Sequence, residues 1–159
     1  MKKLGVIFGG RTVEHDVSIV TGCQVMENAD KKKYDVIPIY ISREGEWFTG
    51  EKLKDAGYYI NFSRDDRELT KVYMTPEPGS ALMAYGKGGL FGGGAKEYCK
   101  LDAVIPAMHG MHGEDGTLQG LFELAAVPYA NSGVLGSAVG MDKIVMKSVF
   151  RGCGFPVVE

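Results

Sequence analysis

The stretch His109–Gly120, HGMHGEDGTLQG, separates two hydrophobic patterns of different period. The residues before it, Ala103–Met108, form an apolar run of the kind found in buried strands. The helical spacing i, i+3, i+4, i+7 follows at Leu118, Leu121, Phe122 and Ala125. In an open α/β sheet, ligands bind in the crevice beyond the carboxyl ends of the strands. The sequence therefore predicts a ligand-binding crevice where the strand ends, at His109.

The beginning of the chain shows the same order of elements. Lys3–Phe8 is predicted as a strand that ends at Gly9-Gly10, and a helix follows to about Ala29, with an apolar face at Ile19, Val20, Cys23 and Met26. Tyr34–Ile41 is the next predicted strand, so the unit predicts a right-handed parallel crossover. We expect an α/β fold of three layers, with a mainly parallel sheet, Lys3–Phe8 and Ala103–Pro106 central and helices on both faces.

Residues 42–100 give the weakest pattern in the chain. We predict an insertion of short strands and loops there, with strands at Trp47-Phe48 and Val72–Thr75 and a turn-rich loop at Gly86–Gly94.

Regular patterns return after the insertion. The last predicted elements are a short strand, a short helix and a longer helix, at Val127–Ala130, Val134–Val139 and Met141 to about Gly152. We therefore expect one domain over residues 1–140. Residues 141–159 would add a helix and the start of a linker to a further domain.

The overall composition excludes several classes of protein. A formal net charge of −2 and a pI of about 5.9 give no basic footprint for nucleic acid or for anionic membranes. The apolar run Leu4–Phe8 is too short for a signal peptide, and no segment is long enough to cross a membrane. The cysteines are odd in number and contain no CxxC motif, which favours reduced thiols in the cytoplasm.

Glu14 and His109 are the polar residues at the mouth of the predicted crevice. A carboxylate at Glu14 could hold an ammonium group, or it could simply complement the positive end of the helix. A histidine directly after a buried strand suits a ligand donor or proton carrier, and the alternative is a hydrogen-bonded core histidine. The residue types alone leave both pairs of interpretations open.

Three further groups could bind anions or metals. Gly9-Gly10 matches neither the GxGxxG motif nor a Walker loop. Its backbone N–H groups could still bind a small anion, or the two glycines could form a plain turn. His112 lies three residues after His109, but no cysteine or third histidine completes a metal shell, so we predict no metal site within this chain. Lys143 opens the last helix and could contact phosphate or be solvated.

Three motifs in order resemble the D-alanine–D-alanine ligase family of ATP-grasp enzymes. Gly9–Ser18 is similar to the family's GGxSxEHxVS motif, with Thr12 in place of serine. His109–Gly120 matches HGxxGEDGxxQG at every specified position. Pro128–Lys143 matches PYxGxGVxxSAxxMDK except at Asn131, a residue that tolerates the left-handed backbone of the usual glycine.

The resemblance implies a Rossmann-like, pre-ATP-grasp fold and a set of site residues. Glu14, Val17, Ser18 and His109 would line the first D-alanine site, with Glu14 and His109 as the catalytic pair. Glu14 would bind the ammonium, and His109 would lie beside the carboxylate or its phosphorylated form. Lys143 would contact nucleotide phosphate.

The family's reaction joins two D-alanine molecules for peptidoglycan through an ATP-derived acyl phosphate. The resemblance implies that ATP and Mg²⁺ bind between central and C-terminal domains beyond Glu159, so residues 1–159 alone should be inactive. It also implies a homodimer.

Other activities remain open at this point. A variant ligase could use D-serine or D-lactate as its second substrate. A non-catalytic amino-acid-binding module is a further alternative, and a flavodoxin-like electron carrier is possible on fold alone.

Overall fold

The computed structural model describes residues 1–86 and 94–158 of the chain, so most of the loop predicted at Gly86–Gly94 lies outside the described residues. The strands are β1 Lys2–Gly9, β2 Tyr34–Ile41, β3 Trp47–Thr49, β4 Thr70–Met74, β5 Ala81–Ala84, β6 Lys96–Lys100 and β7 Ala103–Pro106. The α-helices are α1 His15–Asn28, α2 Thr117–Leu124, α3 Val134–Met141 and α4 Lys143–Gly152. Two 3₁₀ helices, Glu51–Lys54 and Ala56–Asn61, follow β3.

The strands form one sheet with the order β6-β5-β4-β3-β2-β1-β7. β1 pairs in parallel with β2 and with β7, and beyond β7 the chain makes a further parallel bridge from Val104 to Tyr129. The backbone N–H of Val104 donates to the Pro128 carbonyl, and that of Ala130 donates to the Val104 carbonyl. β1 and β7 therefore have neighbours on both sides, which confirms the predicted parallel centre of the sheet.

The weak pattern of residues 42–100 corresponds to an antiparallel extension of the same sheet. The pairs β2–β3, β3–β4, β4–β5 and β5–β6 are all antiparallel, so the complete sheet is mixed around its parallel centre. These strands are three to five residues long, which is too short for a clear alternating pattern in the sequence.

Each face of the sheet carries its own hydrophobic core, as expected for three layers. One core packs α1 and the first 3₁₀ helix onto the sheet through Val6, Phe8, Ile19, Met26, Val36, Tyr40, Phe48, Leu53 and Ala107. The other core packs α2 onto the opposite face and includes Ile7, Ile39, Val72, Leu82, Val104, Met108, Leu118, Phe122 and Ala125. The predicted α/β class is therefore confirmed.

α1 contacts the sheet through smaller residues than the sequence pattern predicted. Its buried residues are His15, Ser18, Ile19, Gly22 and Met26. The prediction of Val20 on the buried face was wrong, because its side chain is 52% exposed. A β-carbon at Gly22 would lie 2.5 Å from Phe8 Cγ, so the helix approaches β1 more closely than a larger residue permits.

The end of the chain forms two helices that meet at Asp142. Met141 closes α3, so the predicted start of the last helix at Met141 is corrected to Lys143. Asp142 has an extended backbone, and its carboxylate accepts hydrogen bonds from the N–H groups of Ile144 and Val145. This N-cap satisfies donors that the new helix leaves free and sets the boundary between the helices.

Two further findings concern the described residues as a whole. None of the helices found in residues 1–86 and 94–158 is long and apolar enough to cross a membrane. Cys23, Cys99 and Cys153 are free thiols.

Candidate active site

The crevice lies at the carboxyl ends of β1 and β7, where the chain leaves the two strands onto opposite faces of the sheet. This is the position at which open α/β sheets bind ligands. Gly9 and Gly10 turn the chain after β1 with φ angles of 89° and 99°. A side chain at Gly9 would clash with the Ile41 carbonyl, so the turn requires glycine there.

Ser18 joins the two strand ends beneath the crevice. Its Oγ accepts a hydrogen bond from the Gly9 N–H at 2.8 Å and donates one to the Ala107 carbonyl at 2.8 Å. The side chain is fully buried. The hydroxyl therefore fixes the floor of the crevice, and its contact with a ligand stays a prediction.

His15 fixes the turn from the side of the helix. It is buried, with Nδ1 2.7 Å from the Gly10 carbonyl and Nε2 3.0 Å from the Tyr40 hydroxyl. A carbonyl only accepts hydrogen bonds, so Nδ1 donates and Nε2 accepts from Tyr40. Burial raises the pKa of Tyr40 to about 12, so the hydroxyl keeps its proton at neutral pH. No role was predicted for His15, although its spacing from Ser18, Gly22 and Met26 places it on the buried face of α1.

Two carboxylates lie against Gly110 in the loop after β7. Glu14, the residue before α1, is exposed, and a β-carbon at Gly110 would lie 2.6 Å from its Oε2. Glu114 Oε2 accepts a hydrogen bond from the Gly110 N–H at 2.7 Å. Gly110 has a φ of 72°, so the loop turns between the two acids. Such a pair of negative charges suits an ammonium group.

His109 connects this acidic pair to α1. Its Nε2 lies 2.9 Å from Thr21 Oγ1, and its Nδ1 lies 3.9 Å from Glu114 Oε1. About a third of the side chain is exposed. Val17 is 57% exposed one helical turn before Thr21, and its contact with a ligand stays a prediction. The structure thus brings Glu14 next to Gly110, the residue after His109, and it adds Thr21, which no sequence motif had indicated.

Asp115 accepts several hydrogen bonds from within the loop that follows β7. Asp115 accepts hydrogen bonds from the His112 N–H and from both the N–H and the hydroxyl of Thr117. Burial raises the pKa of the Asp115 carboxyl, but these hydrogen bonds outweigh burial and hold the pKa below its ordinary value. Glu114 and Asp115 therefore stabilise the loop as well as complementing the following helix.

Gln119 completes the loop from the first turns of α2. Its amide nitrogen donates to the Gly113 carbonyl at 2.8 Å, and only 2% of the residue is exposed. Gln119 thus has a structural role that its position in the sequence did not reveal.

A cleft of about 510 Å³ opens beside the acidic pair, and it carries charges of both signs. Arg11 and Arg43 line it together with Glu14 and Gly110, and Met141 closes it from the end of α3. Arg43 also pairs with Asp16 at 2.6 Å. A cleft with a carboxylate and two guanidinium groups suits a small zwitterion such as a free amino acid.

The residues considered for a metal ion and for nucleotide phosphate can be located in the structure. No group of three or more His, Cys, Asp or Glu residues in residues 1–86 and 94–158 is arranged to hold a metal ion. Lys143 is the first residue of α4 and is exposed, but the N–H groups of that helix end are already bonded to Asp142. The predicted contact of Lys143 with phosphate therefore depends on its side chain alone.

Together, the fold and the crevice define a Rossmann-like domain with a polar crevice at its topological switch point. A family model described as "D-ala D-ala ligase N-terminus" matches residues 3–132. The chain therefore belongs to the D-alanine–D-alanine ligase N-terminal domain family.

Curated relatives agree with this assignment. The chain is 41% identical over 155 residues to a D-alanine–D-alanine ligase of Geobacillus kaustophilus, covering 96% of this chain and 40% of that protein. It is 42% identical over 161 residues to the enzyme of Streptomyces griseus, with 98% and 40% covered. The chain thus spans about two fifths of the length of these relatives.

Solved structures show the same architecture. The VanG D-Ala:D-Ser ligase of Enterococcus faecalis superposes with a TM-score of 0.81 at 34% identity, covering 99% of this chain and 43% of that one. The D-alanine–D-alanine ligase of Coxiella burnetii superposes with a TM-score of 0.79 at 31% identity, covering 100% of this chain and 44% of that one.

Proposed function

We propose that this chain is the substrate-binding N-terminal domain of a cytoplasmic, ATP-dependent D-alanine–D-alanine ligase that supplies peptidoglycan synthesis. The observation that carries the proposal is the meeting of Glu14, from the start of α1, with His109 and Glu114, from the loop after β7, around Gly110. The family and its relatives support the choice of substrate.

In this proposal the crevice binds the first D-alanine. Glu14, with Glu114 beside it, binds the ammonium group, and Val17 contacts the substrate at the rim. His109 lies beside the carboxylate that becomes the acyl phosphate. Its ring keeps one orientation there because α1 contacts it through Thr21 Oγ1.

ATP and Mg²⁺ bind mainly outside this chain in the proposed enzyme. When bound, Mg-ATP supplies the phosphoryl group that activates the carboxylate. Lys143 is the one residue of this chain that we assign to nucleotide phosphate. The chain alone is therefore expected to bind D-alanine weakly and to release no phosphate.

Binding of D-alanine to the purified chain tests the proposed site. We expect Glu14→Gln to weaken D-alanine binding roughly tenfold or more, since a charge-assisted hydrogen bond contributes about 1.5–3 kcal/mol. Glu27→Gln is the matched control, because Glu27 is an exposed acid on the same helix. Chemical-shift titrations with D-alanine and L-alanine measure the affinity and its stereospecificity. Equal affinity of the two glutamine variants for D-alanine would remove Glu14 from the site.

Phosphate release tests the role of His109. In the full-length ligase that the proposal implies, His109→Ala should lower turnover. Glu14→Ala should chiefly raise the D-alanine concentration needed for half-maximal turnover. Phosphate release with D-alanine and Mg-ATP measures both effects. Release by residues 1–159 alone would contradict the proposed division of the ATP site. Absence of release from the full-length protein would favour a non-catalytic amino-acid-binding module.

A D-Ala:D-Ser ligase is the second candidate, because the VanG structure matches the chain along nearly its whole length. The residues described here concern the first substrate and do not select the second. Product analysis with D-alanine, D-serine and D-lactate as competing second substrates distinguishes these ligases.

We also propose that the protein is a homodimer through this domain, as the family resemblance implies, with α1 or the antiparallel insertion at the interface. Sedimentation at increasing protein concentration measures the association. A monomer throughout the high micromolar range would contradict this proposal.

A further inference from the structure

The hydroxyl of Thr21 lies between two hydrogen-bonding groups. Its Oγ1 is 3.1 Å from the carbonyl oxygen of Val17, one turn earlier in α1, and 2.9 Å from Nε2 of His109. A hydroxyl has one hydrogen to donate, and a carbonyl can only accept. When Thr21 donates to Val17, its oxygen remains an acceptor, so the hydrogen in the second contact belongs to His109 Nε2.

We infer that Thr21 is a positioning residue for His109: it accepts the Nε2 hydrogen, fixes the ring's tautomer and orientation, and leaves Nδ1 as the nitrogen that faces the carboxylates at Gly110. In the neutral ring, Nδ1 then carries a lone pair beside Glu114. The nitrogen lone pair and the Glu114 carboxylate then form a set of acceptors next to Gly110, which Glu14 approaches from the start of α1.

The carboxylate of Glu114 has the opposite effect on the tautomer. It attracts a proton to Nδ1, but its Oε1 lies 3.9 Å away, which is beyond hydrogen-bond distance. The contact of Thr21 with Nε2 is 2.9 Å and is a hydrogen bond. Because Thr21 donates to the Val17 carbonyl, this hydrogen bond places the hydrogen on Nε2, and the longer contact with Glu114 does not move it to Nδ1.

The importance of Nδ1 for a ligand rests on the proposed function, whereas the state of the ring does not. A set of acceptors without a hydrogen on Nδ1 is complementary to the N–H groups of an amino acid's ammonium. A hydrogen on Nδ1 would instead point a donor toward such a ligand. Thr21 thus keeps this nitrogen an acceptor for the ammonium group without touching the ligand.

NMR on the chain labelled with ¹⁵N and ¹³C in histidine tests the inference directly. Long-range proton–nitrogen spectra, recorded where the ring is uncharged, show which ring nitrogen carries hydrogen, and His109→Gln assigns the signals by their loss. Ring ¹³C relaxation measures the mobility of the ring. Thr21→Val keeps the shape of the side chain without its hydroxyl, and Thr21→Ser keeps the hydroxyl.

The expected result is a hydrogen on Nε2 and a rigid ring in the unmodified chain and in Thr21→Ser. Thr21→Val should shift both ring nitrogens toward the values of exchanging tautomers and increase ring mobility. Unfolding in urea, measured on the same variants, separates this effect from a loss of stability, which leaves the tautomer unchanged. A hydrogen on Nδ1 in the unmodified chain, or Thr21→Val spectra identical to it, would overturn the inference.

A titration with D-alanine separates the inference from the proposed function. If the tautomer depends on Thr21 but D-alanine does not shift the His109 signals, the positioning role stands and the proposed substrate fails. If D-alanine binds and the tautomer is independent of Thr21, the substrate stands and the positioning role is refuted.

Discussion

Ser18→Ala should destabilise the domain because it removes the connection between the two strand ends at the crevice. The hydroxyl satisfies the buried N–H of Gly9 and donates to the carbonyl of Ala107. Alanine at position 18 makes neither bond, and the packed surroundings leave the side chain 0% exposed, so water has no access without rearrangement. The Gly9 N–H would then be a buried donor without its partner.

The size of the effect follows from these contacts. An unsatisfied buried N–H costs about 1–3 kcal/mol, and alanine regains only about 0.5 kcal/mol through its higher helix propensity. Ser148→Ala is a matched control, because the exposed Ser148 hydroxyl bonds only to the carbonyl of Ile144 in its own helix. The propensity gain is common to both variants and cancels in their difference. We expect Ser18→Ala to be less stable than Ser148→Ala by about 2 kcal/mol.

Urea unfolding followed by circular dichroism measures this difference. At the slopes usual for small domains, a loss of about 2 kcal/mol lowers the urea midpoint by roughly 1 M. A difference of less than about 0.5 kcal/mol between the two variants would refute the role of Ser18 as a clamp. Retained stability with lost D-alanine binding would instead place Ser18 in direct contact with the ligand.

Three other substitutions test the packing and electrostatics of the same region. Gly22→Ala should lower the free energy of unfolding by about 1–2 kcal/mol, because overpacking against Phe8 outweighs the helix propensity of alanine. Calorimetry measures this loss, and a stabilised variant would contradict the close approach. Tyr40→Phe should cost about 1–2 kcal/mol in urea unfolding, since His15 Nε2 loses its donor; an unchanged midpoint would show that this bond is dispensable. Asp115→Asn tests the pH dependence of stability. Because the pKa of Asp115 is lowered in the folded chain, the carboxylate stabilises the fold fully above the unfolded-state pKa of about 4. This contribution to the free energy of unfolding is lost as the pH falls through the folded-state pKa. The stability difference from the unmodified chain should therefore shrink on acidification, and a difference independent of pH would contradict the assignment.

Strong periodic segments allowed much of the fold to be predicted. The strands at Lys3–Phe8, Tyr34–Ile41 and Ala103–Pro106 were placed within a residue or two, because strands covered on both faces give unbroken apolar runs. The helix after His109–Gly120 was also predicted correctly. The antiparallel strands of residues 42–100 were harder to place, since their pairing depends on neighbours distant in the sequence rather than on their own pattern.

The sequence motifs identified residues of the crevice but not the contacts between them. Glu14 and His109 could be named from the sequence because they lie in recognisable motifs at a strand end and a helix start. Their approach around Gly110 required the pairing of β1 with β7, which joins segments far apart in the chain.

The sequence by itself determined the order of strands and helices outside residues 42–100, the family and the positions of the loops that form the crevice, because these depend on local periodicity and on short motifs. Only the tertiary structure decided the tasks of the small polar side chains. A serine or threonine hydroxyl can face water, its own helix or a distant strand, and no local pattern distinguishes these cases. The packing of α1 onto β1 turns Ser18 toward the strand ends and Thr21 toward His109, since hydrogen bonds select among such orientations only once the partners are brought within 3 Å or so.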